Sequence, residues 1–199
     1  MDDQKKWLEL ISNKEEIILE LGCGEKKSID GVIGIDKLSL PGVDFIADIN
    51  KGLGFIPDNS IIKIYSKHFL EHIDDISYLF SEIARVLKSG GIIEGWVPHW
   101  SNPYYYSDPT HKTFFGLYTF SYFTKNEIYK RKVPNFYQDN NLILEKNLLL
   151  FRPNKGDPSF FSRVLMKVIN FNSHTQEIYE KYFAKLFFVD EIYFQLRRT

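Results

Sequence analysis

Apolar positions in this chain recur with two periods, and the stretches they mark alternate. Compact apolar runs at residues 17–21, 32–36, 43–48, 61–66, 92–97, 142–151 and 191–197 read as strands, most of them buried on both faces. Residues 75–88 instead space Ile76, Leu79, Phe80, Ile83, Val86 and Leu87 at the period of a helix, with Gly90 and Gly91 as the stop signal. Trp7, Leu8, Leu10 and Ile11 predict a short helix over 3–13 that covers a sheet edge. Two more amphipathic helices follow the sixth strand, one with Phe160, Phe161, Val164 and Val168 on its stripe, the other with Tyr179, Tyr182, Phe183 and Leu186. Strands separated by helices and turns predict an α/β architecture.

The first strand ends in Gly22-Cys23-Gly24, where two glycines one residue apart let the backbone turn sharply and a small molecule approach it. Asp36 closes the second strand and can offer its carboxylate to a ribose diol. A dinucleotide site needs a third glycine three residues after the second, because a pyrophosphate rests there on a helix N-terminus. That position is Lys27, so a nucleotide-type ligand without a pyrophosphate is expected. Only seven residues separate Gly24 from Val32, fewer than the ~10 that a crossover with a true helix requires. The first crossover helix is therefore lost or cut to one turn.

Five ordered segments, Glu20-Leu-Gly-Cys-Gly24, Gly34-Ile-Asp36, His68-Phe-Leu-Glu-His72, Arg85-Val-Leu-Lys-Ser-Gly-Gly91 and Asp108-Pro-Thr-His111, resemble class I S-adenosylmethionine-dependent methyltransferases over roughly residues 15–125. The nearest likeness is a subgroup with a shortened first crossover and the Asp-Pro-Thr-His segment. The resemblance implies a Rossmann-like, doubly wound, mixed sheet of seven strands with the last strand antiparallel, and S-adenosyl-L-methionine as cofactor. It implies cofactor contacts at Glu20, Gly22, Cys23, Gly24, Asp36, Asp48 and His68. Asp48 reads equally as a turn or cap residue. Relatives of the subgroup are associated with surface-sugar and secondary-metabolite pathways, which implies a small-molecule hydroxyl as acceptor.

A hydroxyl acceptor needs a base, and His111, His72 and His99 are the candidates in that order, with Asp108 to orient a ring. The competing reading is that Asp108 and His111 cap a helix beginning near Thr113. His68-x-x-Glu71-His72 also has the form of a zinc-peptidase motif, but it follows a strand and lacks the helical register that such a site uses, so no metal is expected. The aromatic stretch at about 100–140 reads as core packing or as a lid and acceptor pocket. A cation such as a sulfonium gains from an aromatic face.

Composition narrows this further. With 199 residues, 44% hydrophobic, the chain can fill one core, and a single domain over 1–199 is expected, with insertions at about 100–140 and 157–188. A net charge of −1, with only a short basic patch at 125–132, presents no face for nucleic acid. Cys23 is the only cysteine, which excludes an internal disulfide and fits a reducing, cytoplasmic compartment, and no apolar leader follows Met1. Arg163 and Lys167 beside the first amphipathic stripe leave a membrane-surface or homodimer role open for residues 158–188. Two further function classes stay open: a non-catalytic partner subunit that keeps the fold, and a zinc hydrolase.

Overall fold

The computed structural model describes residues 3–134, 140–151 and 160–199. Seven strands form one sheet: β1 (Ile18–Leu21), β2 (Ile33–Asp36), β3 (Phe45–Ile46), β4 (Ile61–Lys67), β5 (Leu87–Pro98), β6 (Leu142–Leu150) and β7 (Glu191–Arg198). Their spatial order is β3-β2-β1-β4-β5-β7-β6. Strands β1 to β5 are mutually parallel, and β7 runs antiparallel to both β5 and β6. This is the mixed, Rossmann-like sheet that the sequence implied. The order reverses beside β1, since the chain adds β2 on one side and returns to place β4 on the other. In an open α/β sheet the ligand crevice lies at such a reversal, outside the carboxyl ends of the strands.

No helix spans residues 22–32, in line with the short crossover. Side chains hold the loop instead. Glu20, 2% exposed, accepts the Ser28 amide at 2.8 Å, and Lys27 Nζ donates to Val32 O at 3.1 Å and to Asp44 Oδ2 at 2.8 Å. The residue that ruled out a pyrophosphate glycine thus has a structural task.

Helix α1 (Asp3–Ile11) buries Trp7 completely against the sheet edge, with its ring edge-on to Phe45 at 5.4 Å and Phe55 at 5.6 Å. Helix α2 (Ile76–Val86) starts at Asp75, whose Oδ1 accepts the Tyr78 amide at 2.8 Å. Its expected end moves. The helix stops at Val86, ahead of the glycines, because Leu87 turns extended (ψ 140°) and pairs with Ile61. Gly90, at φ +79°, serves the irregular stretch between that pair and the next, Lys63 with Ile92. β3 is also shorter than the apolar run 43–48, since Asp48 leaves the sheet and accepts the Asn50 amide at 3.2 Å, opening a 3₁₀ turn over Ile49–Lys51.

The aromatic stretch divides by burial. Phe115, Phe120 and Phe123 are core, with Phe120 stacked on Phe194 at 4.1 Å and Phe123 on Phe80 at 4.5 Å. Tyr104, Tyr106 and Phe114 are exposed. Residues 135–139 of the expected insertion lie outside the described residues. Between β6 and β7 come α3 (Phe160–Ile169), α4 (Ser173–Ile178) and a π-turn over Tyr179–Phe183. Residues 157–159 of that second insertion lie outside the described residues too.

Candidate functional site

A cavity of about 540 Å³ opens at the carboxyl ends of the central strands, lined by Gly22, Asp36, Asp48, His68, Phe69, His72, Pro109 and Thr110 among others; His111 and Asp108 are not in its lining. A smaller one of about 160 Å³ lies between Glu20, Ser28, Tyr65 and Lys67. The turn after β1 is built for close approach. Gly22 has φ +69°, its amide donates to Ile35 O at 2.8 Å, and an added Cβ would fall 2.1 Å from the Phe69 ring. Phe69 was not singled out in the sequence; it backs this turn and lines the larger cavity.

Asp36 sits where β2 ends, and its two oxygens accept the amides of Gly24 (3.1 Å) and Leu38 (3.0 Å). These bonds fix the carboxylate in the cavity wall while leaving lone pairs for a ligand. Gly24 is thereby tied to Asp36 through its own backbone. Asp48 lines the cavity and caps its 3₁₀ turn, so the two readings of that residue coexist. Glu20 faces the smaller cavity and braces the loop at Ser28. Cys23 is 6% exposed, with Sγ 3.4 Å from Gly42 O. Burial, followed by the charges of Asp36 and Glu20, pushes the thiol up to about 11, so it stays protonated, and Cys23 is absent from the lining of both cavities.

His68 follows β4 in the left-handed region at φ +50°. Its Nε2 lies 3.1 Å from Glu191 Oε1 and its Nδ1 3.6 Å from Glu71 Oε1. Hydrogen bonding to Glu191, then to Glu71, raises its pKa to about 9, so it is a cation at neutral pH and unsuited to act as a base. Glu191 is 123 residues away in the chain, and no local pattern announced it.

Glu71, 1% exposed, lies in the 3₁₀ turn Leu70–His72, and its carbonyl accepts the amides of Lys112 (2.7 Å) and Thr113 (3.1 Å). This brings the Asp-Pro-Thr-His segment against the end of β4. No helix begins near Thr113, so the capping reading of Asp108 and His111 is corrected: the amides of Lys112 and Thr113 pair with Glu71 O in place of starting a helix. Asp108 Oδ1 instead accepts the Thr110 amide (2.8 Å) and hydroxyl (2.6 Å), which hold its pKa below the usual carboxylate range.

With the Thr110 hydroxyl proton committed to Asp108, His72 Nδ1 must donate to Thr110 Oγ1 (2.9 Å), which leaves Nε2 with its lone pair. His111 Nδ1 is 2.8 Å from Tyr105 O and, facing a carbonyl, carries the proton; its Nε2 is likewise free and lies 3.7 Å from Asp108 Oδ2. The two rings are 4.9 Å apart. One donor atom each from Glu71, His72 and His111 fall within 4.8 Å of one another. The motif's two histidines, His68 and His72, do not share that cluster.

His99 does not belong here. It is fully buried, with Nδ1 2.7 Å from Ser101 Oγ and Nε2 3.0 Å from Glu180 Oε2, so it has no path to a ligand and its assignment as a base is corrected. Burial works against the charge on Glu180, but hydrogen bonds from His99, Trp100 Nε1 and the Leu117 amide outweigh it and keep the carboxyl below its usual range. The partner lies 81 residues along the chain from His99, beyond any local sequence signal.

Residues 34–94 match the family described as "Methyltransferase domain". No curated protein matches the chain in sequence. Among solved structures, it is similar to a SAM dependent methyltransferase from Archaeoglobus fulgidus at 18% identity, covering 98% of this chain and 90% of that one, with a TM-score of 0.56. An S-adenosylmethionine dependent methyltransferase from Mesorhizobium loti aligns at 14% identity, over 97% of each chain, at 0.54. A third, 12% identical over 98% and 89% of the two chains at 0.54, is a putative methyltransferase of Haloferax volcanii in complex with the Trm112 methyltransferase activator.

Proposed function

We take the chain as a methyltransferase domain of the class I, S-adenosylmethionine-dependent fold, and propose that it moves the methyl group to a hydroxyl of a small-molecule acceptor such as a sugar or secondary metabolite. The observation that carries the reading is a single cavity lined by Gly22, Asp36 and His72, with the His111 ring just outside the lining, 4.9 Å from that of His72. The residues suit the cofactor: the turn at Gly22 has no Cβ to obstruct a bound methionine moiety, and Asp36 offers carboxylate oxygens where a ribose diol needs acceptors. Asp48, Leu38 and Ile49 complete a wall of mixed polarity for the adenine.

S-Adenosyl-L-methionine supplies an electrophilic methyl group on sulfur. The chain's own work is to align an acceptor oxygen with that group, exclude water and take one proton. An acceptor oxygen aligned with that methyl group would give up its proton to His111 Nε2 as the oxygen takes the methyl. The resulting imidazolium stays bonded through Nδ1 to the Tyr105 carbonyl and gains from the Asp108 carboxylate. The Tyr105 ring packs on His111 at 4.6 Å and on Phe114 at 5.2 Å, which gives this side of the base an aromatic backing.

A second reading has one observation in its favour. The donor atoms of Glu71, His72 and His111 are close enough to hold a divalent cation, and Glu71 Oε2 is buried with no hydrogen-bond partner. A cation there would polarise the acceptor hydroxyl in place of a base.

Calorimetry tests the cofactor assignment. S-Adenosylhomocysteine should bind and NAD should not. Asp36→Ala should weaken S-adenosylhomocysteine by roughly 1.5–3 kcal/mol, about 10- to 150-fold, if two charge-assisted hydrogen bonds are lost. Asp36→Asn, which keeps one acceptor oxygen, should lose less. Unchanged affinity in Asp36→Ala would sink the assignment. Release of S-adenosylhomocysteine in acceptor screens separates an enzyme from a non-catalytic subunit.

A further inference from the structure

The helical unit between β6 and β7 is amphipathic in the wrong sense for a face in water. Of the nineteen large apolar side chains exposed among the described residues, eleven fall in 160–188. On α3 the outward stripe is Phe160 (83% exposed), Phe161 (70%), Val164 and Val168, while Leu165 and Ile169 turn inward. After the π-turn, Leu186 (71%) and Phe187 (56%) continue the outward surface. An apolar groove of about 300 Å³ runs between the two parts, lined by Val168, Ile178, Phe183 and Phe187 among others.

The inward side carries the polar groups. Gln176, 6% exposed, donates to Asn147 O at 2.6 Å and accepts from Tyr129 OH at 3.2 Å. Glu177 accepts the Arg131 amide at 2.8 Å and the Lys130 amide at 3.2 Å, and Glu180 holds His99 and Trp100. Both acids of residues 160–188 are therefore tied to the body of the protein. The four cations of the segment, Arg163, Lys167, Lys181 and Lys185, are exposed. The outward face combines large aromatic side chains with the exposed lysines Lys167, Lys181 and Lys185, while the two acids of the segment turn to the other side.

We propose that this face docks on an anionic membrane surface, with the aromatic side chains in the headgroup boundary and Lys167, Lys181 and Lys185 among lipid phosphates. Charge decides the occupant. A second copy related by a two-fold axis would bring the same three lysines together, whereas an anionic leaflet attracts all of them. Residues 152–159, Arg-Pro-Asn-Lys-Gly-Asp-Pro-Ser, contain no large apolar side chain with which to cover it. Among the described residues no helix is long and apolar enough to cross a membrane, so the mode is to lie on the surface. The proposal does not depend on which acceptor is methylated.

Vesicle sedimentation with the full chain tests it. The protein should bind vesicles of equimolar phosphatidylglycerol and phosphatidylcholine at low salt, release as salt is raised, and bind vesicles of phosphatidylcholine alone far more weakly. Lys181→Gln with Lys185→Gln should weaken binding ~25-fold, at about fivefold per cation. Phe160→Ser, Phe161→Ser and Phe187→Ser together should weaken it more than ~10-fold, and S-adenosylhomocysteine affinity, unchanged in both variants, would report that the fold is intact. The proposal is overturned if anionic vesicles are not bound, if neutral vesicles are bound equally well, or if either variant binds as wild type does. A dimer seen by light scattering that the phenylalanine substitutions dissociate, with no vesicle binding, would assign the face to a second copy instead.

Discussion

At Gly22 a side chain has nowhere to go, since the φ of +69° and the Phe69 ring 2.1 Å from an added Cβ both exclude one. At His111 the constraint is on a proton: the Tyr105 carbonyl holds one at Nδ1 and so frees Nε2 to receive another. His111→Asn retains a hydrogen-bonding group of similar reach but cannot take a proton near neutral pH. Turnover on the true acceptor should fall roughly 10²- to 10⁴-fold with cofactor affinity nearly unchanged. Turnover and a pH profile like wild type would move the base to His72, whose Nε2 is free for the same reason. The same residues distinguish base from cation. If His111 is the base, dialysis against a strong chelator leaves kcat and KM unaltered, whereas a stoichiometric metal whose removal abolishes turnover would assign Glu71, His72 and His111 as its ligands.

Among the elements, the 3₁₀ turn after β4 does the most to assemble the site. Through His68 it joins Glu71 in the turn to Glu191 at the start of β7, and through the Glu71 carbonyl it anchors the segment bearing His111. Since the pKa of His68 is raised from 6.5 to about 9, the stabilisation from this bridge is fully present below pH 6.5 and is lost as pH rises through about 9. The melting temperature of the wild type should therefore decline across that interval more steeply than that of His68→Asn. Asparagine is chosen because it tolerates the left-handed backbone at φ +50°. Parallel melting curves for the two proteins across the interval would remove the bridge from the account. The strands themselves and the helix α2 were legible from periodicity, but this turn was not: the sequence placed His68, Glu71 and His72 in one loop, and only the structure sends His68 to Glu191 while His72 lies beside His111.

Across the molecule, the buried apolar side chains form one cluster that runs from Trp7 under the β3 edge to Leu196 in β7. A continuous core predicts cooperative unfolding, with far-ultraviolet circular dichroism and tryptophan fluorescence reporting coincident transitions in urea. Trp7→Ala should cost about 3–5 kcal/mol in that experiment, because the ring is fully buried between Phe45 and Phe55 and its loss leaves a cavity. Two separated transitions, or a cost near zero, would mean that α1 is not part of the cooperative unit.

By itself the sequence determined the strands and helices whose signals are local. Glycines after β1, an acid at the end of β2 and a crossover too short for a helix are readable because each depends on a few adjacent residues and on the backbone they permit. Only the tertiary structure decided the partners of the charged and polar groups. His99 looked available at the end of β5 until Glu180, from a distant helical turn, was found closing on it; Asp108 could be read as an orienter or as a cap until the amides of Lys112 and Thr113 were found on the Glu71 carbonyl, with no helix following. The helices of residues 160–188 had amphipathic periodicity, yet much of their apolar stripe faces outward, because the buried bonds of Gln176 and the part-buried ones of Asn170 and Glu180 fix which side meets the sheet. Periodicity gives a helix a face; long-range hydrogen bonds between buried groups, costly to leave unpaired, choose where that face points.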